Sequence, residues 1–482
     1  MIQFKAIGRI MGALMFLIGV LMLPAASISW IYNEDSSPIM ISAAISLFIG
    51  MIFFFSFAKY DQLIRKREGY LIVALSWVIM TLFGMLPFFL SDQIDSVSDA
   101  IFETVSGLTT TGASILTDIE AMPKGLLFWR SMTQWIGGLG IIVLTVAIFP
   151  LLGIGGSELF VAESPGPTSD KVHPRISETA KRLWYIYVGL TVAAAFLYWA
   201  GGMTFYDAVN HALTTLATGG FSTKNASMAF YDSAFIQYVA VIFMFFAGTN
   251  FTLIYFGIVG KFGRIFKSDE FKAYTGAILL LTLIVFAGIL INSETEVELA
   301  FRKSIFQVVS LITTTGFVTD DYTQYGMGIT FICFMMLFLG GSAGSTAGGI
   351  KFVRHVVFLK NSWLEFKRIV HPRAIVPLII NGEMVTGRII NNIMNFLLIY
   401  LSTFVAGSLV IAILGYDLAT SLGSVATCLG NVGPAIGEVG PVDNFAFFSP
   451  AAKLVLSFMM LLGRLELFTI LILFTPFFWR AN

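Results

Sequence analysis

Charge is what this chain has least of. Only 12% of its 482 residues are Asp, Glu, Lys or Arg, about half the roughly 25% of a soluble globular chain. Cysteine is nearly absent. Cys333 and Cys428 both lie in apolar surroundings, which excludes a disulfide framework. With four histidines and scattered acids, no cluster forms of the kind an integral membrane enzyme needs at one membrane face. No phosphate-cradling loop with a following Lys occurs, and no glycine-rich dinucleotide turn. Nucleotide binding is therefore expected on another protein, and no nucleic-acid partner is expected; the near-zero net charge says nothing of partners until it is resolved by loop.

What is present is apolar length. Mean hydropathy is +0.84, and strongly apolar runs at 10–31, 71–90, 273–291 and 454–478 are each near the roughly 20 residues a membrane helix needs. The chain reads as an all-α polytopic membrane protein. Its first run is too long for a signal-peptide core, so it reads as a retained helix. Segments 59–70, 151–182, 261–272 and 351–388, with Lys5, Arg9 and Arg480, hold 22 of the 29 Lys and Arg. The alternate segments are acidic, among them Glu34, Asp92, Glu103, Asp118, Glu120 and Asp443. Positive loops stay inside, so both termini are expected in the cytoplasm. Spans are expected at 8–31, 38–58, 70–91, 124–150, 183–200, 234–259, 273–292, 327–350, 386–414 and 450–478.

Four outer segments remain, and they are not ordinary loops. Each opens with a short half-apolar stretch: SDAIFETVSGL, FYDAVNHALTTL, FRKSIFQVVSLI and YDLATSLGSVATCL. These are too short to span and suit re-entrant helices. Asp99, Asp207 and Asp417 stand near the start of three, and Glu296 and Glu298 near the start of the fourth, where a carboxylate favours a helix N-terminus. Each stretch then runs into a small polar motif: TTTGA, ATGGF, TTTGF and GNVGP. A re-entrant helix ends in unsatisfied carbonyls. Extended backbone beyond it survives at that depth only if it lines a wet path or is buried in protein. Four such strands around one axis can replace a cation's water shell with carbonyl oxygens. The candidate filter residues are Thr110, Thr111 and Gly112; Thr218, Gly219 and Gly220; Thr314, Thr315 and Gly316; and Asn431, Val432 and Gly433. The expected organisation is a two-helix segment, 1–69, followed by four pseudo-symmetric helix–pore helix–helix repeats at 70–160, 161–267, 268–370 and 371–482.

These four motifs resemble the filter segments of the Trk/Ktr/HKT superfamily of potassium transporters, specifically its TrkH-type subunits, and the resemblance covers essentially the whole chain. It implies K+ as the transported ion and a location in the bacterial inner membrane. It also implies a homodimer and a cytosolic TrkA-type ring that binds NAD and ATP. In the wider family a Ser in place of the first filter Gly accompanies sodium preference. Gly112 occupies that place here, which by resemblance favours potassium.

Two further stretches stand out. LGGSAGSTAGGIK, 339–351, carries Gly340, Gly341, Gly344, Gly348 and Gly349 with Ser342, Ser345 and Thr346. Each Gly costs a helix about 1 kcal/mol against Ala. The small residues go all round rather than along one packing face, so an unwound loop in the pore's path is expected. The resemblance implies that it is an intramembrane gating loop. Arg464 lies mid-span, where an arginine costs several kcal/mol and marks function by default. Glu466, two residues on, does not share its helix face. Arg464 is expected below the filter, meeting the loop's carbonyls. His211 reads as a packed polar residue, Lys124 and Arg130 as interfacial, and 371–378 as a stretch along the inner surface suited to a cytoplasmic partner. Broken helices also occur in coupled secondary transporters, usually as two inverted repeats.

Overall fold

The structure, a computed structural model, describes residues 4–57, 66–140 and 176–480. Six helices there are long and apolar enough to cross a membrane: Phe4–Ile31, Ser37–Ser56, Arg67–Phe89, Lys181–Ala200, Asp269–Asn292 and Gly387–Ile413. The expected residues 141–150 of one span, basic residues of 58–65 and 151–175, and the 160/161 repeat boundary fall outside the described residues.

Two expected spans are not continuous. Ala234–Ala247 and Phe251–Ile258 meet at 108°, and Pro450–Arg464 and Phe468–Phe474 at 109°. Each break has a local cause. Asn250 caps the new helix by accepting from the Thr252 amide at 2.8 Å, while the Phe251 amide leaves the ladder for Gly344 O at 3.1 Å. At the other break Glu466 and Leu467 adopt φ of +54° and +59°, which no right-handed helix can carry through. The expected span 327–350 is helical only over Met327–Met336. The chain then stays irregular until Phe352–Val370, as the run of glycines predicts. The helix Lys124–Trp135 likewise gives way to a wide π turn, Ile136–Gly140.

The four re-entrant stretches are helices: Val97–Leu108, Phe205–Leu216, Val297–Ile312 and Leu418–Gly430. All are largely buried, and each stops where its polar motif begins. Their N-terminal acids act differently. Asp417 caps its helix, accepting from the Ala419 and Thr420 amides at 2.9 and 3.1 Å. Asp207 sits one turn inside, bonded to the capping Thr204. Asp99 pairs with the buried Lys453 at 2.8 Å, joining the first short helix to the helix Pro450–Arg464. Glu296 makes no side-chain cap.

The first two helices cross at Gly12 and Gly50. A Cβ on either would lie 2.5 Å from the partner's backbone, on Phe54 N or Phe16 N, a small-residue contact that lets helices approach without lipid between them. This pair docks on the rest of the chain at its outer end, where Glu34 accepts from the amides of Lys124 and Gly125 at 2.9 and 3.1 Å. Leucines 279, 280, 283 and 401 stay exposed on the outside, the face an apolar solvent covers.

Candidate functional site

Each motif turns the backbone twice in the same way. Thr110, Thr218, Thr314 and Asn431 adopt φ of +55°, +53°, +55° and +54°. Two residues later Gly112, Gly220, Gly316 and Gly433 adopt +83°, +75°, +76° and +104°. A left-handed threonine costs about 1 kcal/mol or more, so its recurrence at three matched places marks an imposed geometry. The glycines lie against the neighbouring segment's backbone. A Cβ on Gly112 would lie 2.3 Å from Gly219 O, and one on Gly220 2.0 Å from Thr315 O. One on Gly316 would lie 2.0 Å from Val432 O, and one on Gly433 2.8 Å from Thr111 O. The contacts run from first segment to second, third, fourth and back to first, so the four strands close a ring. A cavity of 180 Å³ opens over this ring, lined by all four glycines together with Arg130, Lys224 and Asp443.

Side chains behind the ring hold it. Thr109 and Thr111 share a hydroxyl bond of 2.8 Å, and Thr313 and Thr315 share one of the same length. Glu103, buried inside the first short helix, accepts from the Ile115 amide at 2.9 Å and from the Ser114 hydroxyl at 3.0 Å. Arg130 completes that support. It pairs with Glu103 at 2.6 Å, donates to Ser222 O at 3.1 Å, and lies over the Phe221 ring at 3.4 Å. Arg130 is therefore not interfacial, and Glu103 is not a loop acid. Sequence reasoning missed both because it sorted charges by segment. The available signal was Arg130 and Gln134 one turn apart in an apolar helix, since intramembrane charge is functional by default. His211 is a packed polar residue as expected, held at 2.8 Å by Asp207 O and at 2.9 Å by Ser222 Oγ. Lys124 sits over the Tyr32 ring at 3.7 Å.

Beneath the ring the Gly-rich loop folds on itself. The Gly340 amide donates to Ile350 O at 3.0 Å and the Phe352 amide to Gly341 O at 3.1 Å. Glu270 accepts from the amides of Ala343 and Val353 at 2.7 and 3.0 Å, tying the middle of the loop to the start of the helix that follows it. Thr346 Oγ1 donates to Ala247 O at 3.0 Å. The loop reaches the ring directly, because the Gly348 amide donates to Thr314 Oγ1 at 2.7 Å. Gly344 and Gly349, at φ of +72° and +63°, make its two left-handed turns, and Ser345 donates to Ser342 O at 2.6 Å.

Arg464 reaches the same place from the other side. It donates to Thr110 Oγ1 at 3.2 Å, Thr346 O at 2.8 Å, Gly137 O at 2.5 Å and Gly138 O at 2.7 Å. Glu466 points away and pairs with Arg354. The structure thus brings all of the expected filter residues, the loop and Arg464 to one axis. The stretch 371–378 is mostly exposed and leads into the hairpin Ile379–Ile380 with Glu383–Met384.

Helical spans around four short buried helices, with a closed ring of backbone turns where they meet, fit a membrane protein of the cation-transport class. The chain belongs to the TrkH family of cation transport proteins, whose family model matches residues 35–292 and 273–481. It is similar to the Trk system potassium uptake protein TrkH of Vibrio parahaemolyticus, 41% identical over 99% of this chain and 100% of that one. The TrkH of Escherichia coli is 39% identical over the same shares. A crystal structure of the potassium transporter TrkH from Vibrio parahaemolyticus covers 99% of the chain and 100% of its own, at a TM-score of 0.89 and 39% identity. These relatives are named as transporters, not enzymes.

Proposed function

We propose that this protein takes up potassium across the bacterial inner membrane through the four-segment ring, and that the Gly-rich loop and Arg464 gate it from below. The observation that carries the reading is the closure of the ring: each filter glycine abuts the carbonyl of the next segment in cyclic order. Four carbonyl-bearing turns on one axis offer a dehydrating cation oxygen from every side. The relatives' names, Trk system potassium uptake proteins, supply the ion and the system.

An ion enters from the acidic side, sheds water at residues 110–112, 218–220, 314–316 and 431–433, and meets the loop 340–349 and Arg464 on its way inward. Each of the units 70–160, 161–267, 268–370 and 371–482 gives one quarter of the ring, and 1–69 flanks them. A guanidinium bonded to the first segment and to the loop at once places a positive charge in the path and pins the loop there. Both termini lie in the cytoplasm in this reading, supported by the Lys and Arg distribution and by Arg67 lying 5.2 Å over the Phe478 ring at the end of the chain. The protein works as a homodimer whose gate is driven by a TrkA-type cytosolic ring carrying NAD and ATP, which pulls on the loop through the exposed 371–384 region.

Reconstitution with rubidium and sodium tracers under an imposed potential tests this. A hydroxymethyl group on residue 112, at φ +83° and against Gly219 O, displaces that carbonyl, so Gly112→Ser lowers the potassium-to-sodium ratio. An unchanged ratio in folded protein overturns the filter. Arg464→Ala raises resting flux, and unchanged or lower flux overturns the gate.

A further inference from the structure

At one place the second segment differs from the others for a reason that lies in another repeat. Where the first and third segments place Thr111 and Thr315 and the fourth Val432, the second places Gly219. Its backbone does not demand glycine, because residue 219 is not among those with positive φ. Space demands it: a Cβ there would lie 2.3 Å from the Gln134 side-chain carbon and 2.4 Å from its Oε1. Gln134, wholly buried on the helix Lys124–Trp135, fills that gap. Its Nε2 donates to Gly219 O at 2.5 Å and its Oε1 accepts from the Phe221 amide at 3.1 Å. Among the described residues, the matched carbonyls of Thr111, Thr315 and Val432 accept no hydrogen bond. Gly219 O is also the oxygen that abuts Gly112.

We propose that Gln134 is a specificity-setting residue of the ring: its amide donor weakens the field of the Gly219 carbonyl and so biases the second segment toward a large, easily dehydrated cation. The proposal rests on the filter reading above. An N–H bonded to a carbonyl occupies a lone pair and places positive charge beside the cation's seat, which lowers that oxygen's attraction for an ion. Weaker oxygens lose more against sodium, whose hydration is costlier to replace, than against potassium or rubidium. Gln134 touches no ion and acts as a positioning residue through Gly219.

Two variants test it in reconstituted full-length protein. Gln134→Met keeps length and volume without a donor. Gln134→Leu lacks the donor in a branched apolar side chain, so it reports even if the first variant folds poorly. Sodium, potassium and rubidium permeabilities are compared with wild type. One freed hydrogen bond of about 1 kcal/mol corresponds to about a fivefold change, so sodium over potassium rises about fivefold while rubidium over potassium falls. A merely loosened ring would raise both ratios, and that result overturns the proposal, as does no change in either variant. Gly112→Ser is run alongside. If it shifts selectivity and the Gln134 variants do not, only this inference fails; if it too shifts nothing, the filter reading fails first.

Discussion

The first and third segments of the ring support themselves, whereas the second and fourth are supported by others. In TTTGA and TTTGF the flanking threonines bond each other and return a hydroxyl to their own helix, Thr109 to Val105 O and Thr313 to Val309 O, both at 2.7 Å. In ATGGF that place belongs to Gln134 of the preceding repeat. In GNVGP the Asn431 amide donates outward, to Thr111 Oγ1 at 3.0 Å and Met460 O at 2.9 Å. At these two departures from the repeated motif, a bond runs between repeats, from Gln134 to Gly219 O and from Asn431 to Thr111. Such bonds turn four separate turns into one ring.

The comparison breaks hardest at the ion pairs. Glu103 and Arg130, beside the first segment, are both essentially buried at 0% and 2% side-chain exposure. Removing one partner strands a charge, so Glu103→Gln is expected to cost about 3–5 kcal/mol, read as a fall in Tm of the purified protein. It also leaves Arg130 uncompensated at the cavity over the ring, so cation uptake falls with it. The third short helix has a counterpart in Glu298 and Arg302, but Glu298 is 56% exposed. Glu298→Gln should cost under about 1 kcal/mol. Equal losses in the two variants would mean that burial does not separate these segments.

A smaller effect comes from making the fourth segment like the first. Asn431→Thr restores the threonine found at 110, 218 and 314. It also removes both outward donors, each to a buried hydrogen bond worth about 0.5–1.5 kcal/mol. Thermal unfolding at matched lipid content measures it. A neutral result would show that Asn431 is a local variation and not a tie between repeats.

Much of this was legible in the residues, and the limits have physical causes. Length and hydropathy located the long helices, because bilayer thickness fixes their size. Four polar motifs after four short helices located the ring, because irregular backbone at that depth needs a reason. The glycines at 340–349 announced the unwound loop. The breaks at Gly248–Asn250 and Glu466–Leu467 were hidden, since hydropathy runs on through a bend. Glu103, Arg130 and Gln134 were hidden for another reason: their partners lie in segments distant in sequence, and a buried charge is indistinguishable from a loop charge until its neighbour is known. Arg464 escaped that ambiguity because apolar residues surround it on both sides.

The smallest contrast lies at the outer ends of the short helices. Asp417 caps the fourth, whereas Ser96, at the matched place in the first, makes no side-chain cap. The Thr420 side chain, and then the backbone amides of Thr420 and Ala419, hold the Asp417 carboxyl below its ordinary value of 3.8. A carboxylate with a lowered pKa stabilises the fold above its unfolded pKa, and that contribution fades as pH falls through the folded one. At neutral pH, Asp417→Ala is therefore expected to cost about 1 kcal/mol, while Ser96→Ala costs little. Below pH 3.8 the gap between wild type and Asp417→Ala should close, while that for Ser96→Ala stays flat. A gap that persists unchanged in acid would place the Asp417 contribution in packing and not in its charge.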